Sequence, residues 1–174
     1  IDLSHVGDRT TLETIELSEK PVSITHANAR ACFDHVRNKT DEALKLTAAR
    51  GGVIGANAFP IFLARKFDST LADYADTIDD LVERVGVDHV GIGTDYTQDQ
   101  PQAFFDWLFA QQGTKYKDDP LVFPDPMAHP RGMETPDTFS NLARELLERG
   151  YDQAELAKIL GGNWLRLFRE VWGK

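Results

Sequence analysis

Two histidines and an aspartate stand at the ends of short apolar stretches: His5 closes "IDLSH", His26 closes "VSITH" and Asp95 closes "HVGIGTD". Imidazole and carboxylate are zinc ligands, and a catalytic zinc takes three protein groups while leaving a position for water or substrate. A strand-end aspartate can also accept a proton from water or hold a substrate ammonium group. Singly, each residue has an ordinary role, because a strand-end histidine is commonly a packed or half-exposed side chain. Their recurrence at three strand ends is what points to one shared site. The single cysteine, Cys32, rules out an internal disulfide and a cysteine-rich zinc site, so any metal must be held by histidine and carboxylate.

Other candidates have plainer readings. His35 and His89 lie beside helix ends or strand starts and read as caps or packing. His129 falls in a long loop, within reach of a substrate, but a solvated loop side chain is the simpler expectation. Arg37 reads as a surface arginine, although a position between strand and helix would let its guanidinium clamp a carboxylate with two hydrogen bonds. The glycines of "GGVIGANAF" do not complete a phosphate loop and read as strand-entry and close-packing positions. Trp164, Leu165, Leu167, Phe168 and Trp172 recur at helical spacing and predict a core-facing stripe.

These residues need a frame that brings distant strand ends together. Four apolar or β-branched stretches, 1–3, 22–25, 52–57 and 89–94, predict buried strands. Helices are predicted between them. One opens at Thr40 and stops at the glycine pair 51–52; a second opens at Ser69 and stops at Gly86. A further helix-like stretch starts at Ala29. Alternating strands and helices predict an α/β fold with a parallel sheet, in which the carboxyl ends of the strands share one face. Beyond residue 100 the pattern changes: a helix over 101–112, a long Pro- and Asp-containing loop over 113–135, then a helix capped by Thr135 and Pro136 and a pair broken at Gly161 and Gly162. Long loops in compact domains are usually functional.

Composition narrows the function classes. The chain has 174 residues, 41% apolar and 27% charged, which suits a globular domain with a real core. A net charge of −9 argues against a nucleic-acid binder or a polybasic membrane-surface protein. No stretch approaches the roughly 20 apolar residues of a membrane span.

Five ordered segments carry a resemblance: "DLSHVGDRT", "PVSITHANARACFDHVRNKTDE", "GGVIGANAFPIFL", "DHVGIGTDY" and "LLERGYDQAELAKILGGNWLRLFREVW". In order and spacing they resemble the second half of the membrane (renal-type) dipeptidase family of zinc peptidases, along nearly the whole chain except roughly 97–135. The resemblance implies the C-terminal half of a (β/α)8 barrel, a TIM-type metal-dependent hydrolase fold, with a binuclear zinc centre that hydrolyses dipeptides. Matched position by position, His5 and His26 fall on zinc ligands, Arg37 on the arginine that binds the substrate carboxylate, and Asp95 on the proton-transfer residue. Asn57 and Phe59 fall on a pocket wall. The expected partner is a dipeptide; nucleic acid is not, and a homodimer is left open.

The departures are specific. A complete barrel takes about 250 residues. The family's remaining ligands, an early His-x-Asp pair and a bridging Glu, have no counterpart in 1–174, so the expectation is one C-terminal portion of a barrel domain lacking its N-terminal half. Such a piece would expose strand edges and interior, and is expected to aggregate or to pair with the missing half. The family's "DFDG" is replaced by Asp95-Tyr96-Thr97-Gln98. Two rival readings stand beside dipeptide hydrolysis: another metal-dependent amidohydrolase acting on a lactone or cyclic amide, and a relative without metal that only binds.

Overall fold

A computed structural model describes residues 1–97, 100–110 and 129–173. At its centre the expected alternation holds. β1 (Ser23–Ile24), β2 (Val53–Asn57) and β3 (Val90–Gly93) lie in the order 1-2-3, all parallel. Ile54 is the hinge of the register, opposite Ile24 on one side and Val90 on the other. α1 (Asp8–Leu17) precedes β1, while α2 (Asp41–Ala49) and α3 (Leu71–Val85) make the two crossovers that parallel neighbours require.

The helices start where local chemistry tells them to. Thr40 accepts a hydrogen bond from the Ala43 amide and caps α2. α3 is capped by Thr70, not by Ser69, because Asp73 stands three residues after Thr70 and completes a reciprocal capping box. Gly86 ends α3 at φ 83°, a conformation that favours glycine.

Two of the expected elements form otherwise. The stretch 1–3 forms a single parallel bridge, Asp2 to Ser23, because the chain turns at Ser4 and His5 into α1. The stretch from Ala29 is a loop, not a helix: a bridge between Ala29 and Lys39 closes it, and the Asn38 amide satisfies the Phe33 carbonyl inside it. Backbone groups that a helix would have paired find partners across this loop instead.

After β3 come α4 (Gln102–Phe109), a capped turn at Pro136–Phe139 leading into α5 (Ser140–Glu148), then α6 (Gln153–Ala157) and α7 (Asn163–Trp172). Gly161, at φ 153°, makes the expected break between the last two. Most of the expected long loop, 113–128, and the end of the expected helix, 111–112, lie outside the described residues.

The main core joins Ile24, Ile54 and Ala56 of the sheet to Tyr74, Ile78 and Leu81 of α3 and to Leu142 and Leu146 of α5. Tyr74, fully buried, donates from its hydroxyl to the Ala56 carbonyl at 2.8 Å. Successive strand residues face opposite sides, so Gly55 looks away from α3, and there the Trp164 ring covers Gly55 and Gly91. The predicted aromatic stripe is thus only partly core. Leu167 is buried, but Leu165, Phe168 and Trp172 are exposed, because the groove side of α7 has no further layer against it among the described residues. No helix among the described residues is long and apolar enough to cross a membrane.

Candidate active site

His26 leaves β1 directly, whereas His5 sits in the turn that follows the Asp2 bridge, so neighbouring backbone segments deliver both rings to one spot. Their Nε2 atoms stand 2.9 Å apart. The His26 ring is held from behind. The His26 Nδ1 meets the Thr25 hydroxyl at 2.8 Å, and the His26 amide donates to the Ser4 hydroxyl at 3.0 Å. Asp2 locks this arrangement by accepting from the amides and hydroxyls of both Ser4 and Thr25. Burial opposes its charge, but the Thr25 amide, the two hydroxyls and the Ser4 amide outweigh it and bring the carboxyl down to about 2.

Arg37 approaches from the loop between β1 and α2. Its guanidinium lies 5.2 Å over the Phe62 ring, donates to the Ser4 carbonyl, and reaches the His5 Nε2 at 3.1 Å. Burial, then the Arg37 charge and the second imidazole, pushes the His5 pKa down, which favours the neutral ring that binds metals. Asp95, at the end of β3, places its Oδ2 4.0 Å from the His26 Nε2. It does so at φ 57°, a left-handed backbone uncommon outside glycine, of the kind that accumulates at functional sites. His26 and Asp95 also line a groove of about 420 Å³, with Thr25, Thr94, Trp164 and Phe168.

The four residues His5, His26, Arg37 and Asp95 therefore meet. Asn57 and Phe59 stand one step back. Asn57 is buried, takes the Phe59 amide on its side-chain oxygen, and offers its amide to the His26 carbonyl at 3.3 Å. Phe59 packs with Ile61, Phe62 and Phe105. His35 stacks on Phe33, lies tilted against Phe62 and receives the Arg37 amide on its Nδ1, and His89 meets the Gly52 carbonyl, both packing roles as expected. His129 departs from expectation: it is 7% exposed, not solvated. Asp2, Thr25 and Phe62 position the site yet carry no motif of their own; the signal available was the Asp-x-Ser-His spacing that puts a carboxylate beside the turn.

The donor set suits a metal. Two imidazole nitrogens converge on one point, and the His26 ring is fixed on its far side by Thr25, as ligating histidines commonly are. Among the described residues no group of three or more His, Cys, Asp or Glu side chains could hold an ion, so a metal here would need ligands besides His5 and His26.

The chain is similar to several known proteins. Mouse dipeptidase 3 is 31% identical over 171 residues, covering 98% of this chain and 29% of that protein. An amidohydrolase from Pseudomonas aeruginosa superposes with a TM-score of 0.91 at 41% identity, over 99% of this chain and 52% of that one. A metallopeptidase from Rhodobacter sphaeroides, solved with a phosphinate mimic of the dipeptide L-Ala-D-Ala, gives a TM-score of 0.77 at 25% identity, over 98% of this chain and 42% of that one. The chain thus spans about half, or less, of the relatives it matches. The model of the membrane dipeptidase family, peptidase family M19, matches residues 1–111 and 123–172, and the chain belongs to that family.

Proposed function

We propose that this chain forms the C-terminal part of a (β/α)8 metallo-dipeptidase, in which His5 and His26 bind zinc at the carboxyl ends of the strands. The observation that carries this reading is the single row Arg37, His5, His26, Asp95, built from three separate strand ends and loops. The family's metallopeptidases support it, as does a relative that holds a dipeptide mimic. Bound zinc supplies water activation and polarisation of a carbonyl.

The chain's own residues do the rest. Thr25 and Asp2 fix the His26 ring, so the metal-binding nitrogen is aimed before the metal arrives. Arg37, pinned on Phe62, binds the free carboxylate that marks the end of a short peptide. Asp95 receives the proton from the attacking water and delivers it to the leaving amine, or holds the ammonium group at the other end. Capture of both termini selects dipeptides over longer peptides. The remaining metal ligands lie outside residues 1–174 in this reading, as does the second metal of a binuclear centre.

The test is a full-length His5→Ala, His26→Ala double variant. Loss of zinc and of dipeptide hydrolysis is expected, and stoichiometric zinc with normal turnover would end the proposal. A second reading, hydrolysis of another amide or of a lactone, is favoured by the 41% identical amidohydrolase. A panel of L,L- and L,D-dipeptides assayed beside lactones and cyclic amides separates the two.

A further inference from the structure

His129 and the end of β3 hold two polar groups that the proposed chemistry leaves unused. His129 is 7% exposed, and neither ring nitrogen has a hydrogen-bond partner among the described residues. The Thr97 hydroxyl, two residues after Asp95, is also buried without a partner among the described residues. A buried polar group left unpaired costs about 1–3 kcal/mol, so two such groups, one two residues after Asp95 and the other against Tyr96 and within the field of Asp95, call for a ligand that satisfies them.

The ring is held in place, not loosely packed. It meets Tyr96 edge-on at 4.6 Å between centroids, and the Tyr96 hydroxyl donates to the Met133 carbonyl at 2.5 Å. Met133 is fully buried. Arg131 bridges to Thr70, with the Arg131 amide on the Ser69 carbonyl and the Leu71 amide on the Arg131 carbonyl, so the segment is docked on the start of α3. Burial lowers the His129 pKa against the pull of the Asp95 charge, which favours the neutral ring with its one donor and one acceptor.

The row of the site gives this ring a direction. Arg37 contacts His5, and Asp95 stands beyond His26. A dipeptide held by its carboxylate at Arg37 has its amino-terminal residue at the Asp95 end, where His129 waits. We infer that His129, with Thr97, reads the side chain of the substrate's amino-terminal residue and favours one that carries a hydroxyl or amide. This rests on the dipeptidase reading and adds a specificity determinant to it.

The experiment compares kcat/KM for Thr-Ala against Val-Ala, and Asn-Ala against Leu-Ala, near-isosteric pairs that differ at the amino-terminal side chain. It uses the intact enzyme, His129→Phe and His129→Gln, with melting temperatures of all three. The wild type is expected to favour the polar member of each pair, His129→Phe to reduce that ratio about tenfold, the worth of one net hydrogen bond, and His129→Gln to restore most of it. Ratios that stay within twofold in His129→Phe, or rates that fall equally for all four substrates, overturn the role of His129 while leaving dipeptide hydrolysis standing. A wild type inert toward every dipeptide overturns both.

Discussion

At the scale of single residues, the position that binds the site together is Asp2, which accepts from Ser4 and Thr25 and through them orients His26. Its carboxyl is depressed from 3.8 to about 2, so it stabilises the fold above its ordinary value, and that contribution is lost as pH falls from about 4 to about 2. Asp2→Asn cannot accept all four donors. Its melting temperature should lie below the wild type near pH 6, and the gap should close on acidification toward pH 2. Zinc affinity of the intact enzyme should fall about 10–100-fold, the usual cost of disturbing the group behind a ligating histidine. A gap in melting temperature that is constant with pH would show that the Asp2 charge has no special role. That His26 and Asp95 lie near one another was legible because strand ends in a parallel sheet converge; His5 joins them from a turn after a single bridge, and Arg37 was picked out by its motif. Asp2 was not, since a carboxylate three residues ahead of a histidine looks like any exposed one. Nor was the burial of His129, which depends on its segment docking against α3, a tertiary event that local pattern does not encode.

At the scale of elements, the site depends on how closely β1 can curl toward β3. A Cβ on Gly93 would lie 1.9 Å from the Thr25 carbonyl oxygen and 3.1 Å from the His26 Cα. Backbone cannot yield as a side-chain tip can, so Gly93→Ala should destabilise by about 1–3 kcal/mol or more and displace His26 with it. Thr70→Ala breaks the capping box of α3, away from the histidines, and should cost about 1 kcal/mol. Thermal melts and zinc titration of the intact enzyme separate the two effects: both variants melt earlier, but only Gly93→Ala loses zinc. Equal zinc affinity in the two would mean that the glycine serves stability alone. Helix starts and stops were the most legible elements, because Thr40, Thr135, Gly86 and Gly161 act through their immediate neighbours. The misreadings at 1–3 and from Ala29 share a cause. In both, a polar side chain, Ser4 or Asn38, pulls the backbone into partnerships that an apolar or helix-like pattern does not anticipate.

At the scale of the whole molecule, composition suggested a domain with its own core, and the core around Tyr74 and Ile54 is real. The stripe on α7 shows where that reading stopped short. Trp164, Phe168 and Trp172 stack in sequence, yet Phe168 is 40% and Trp172 73% exposed. Periodicity reveals that a helix has an apolar face but not whether the covering layer belongs to the same stretch of chain. The far edge of β3 likewise pairs with no strand among the described residues. An open strand edge beside an apolar helix face and a groove are features that folded proteins ordinarily cover. Relatives about twice as long, or longer, have the additional chain to do so. Residues 1–174 produced alone should therefore self-associate, with a light-scattering mass above that of one chain and apolar-dye binding. In the intact enzyme the same tryptophans should emit at shorter wavelength as they leave water. A monodisperse, cooperatively melting monomer of 1–174 that binds no dye would show that this stretch is a complete folding unit, and would remove the case for a single barrel domain continued by other residues.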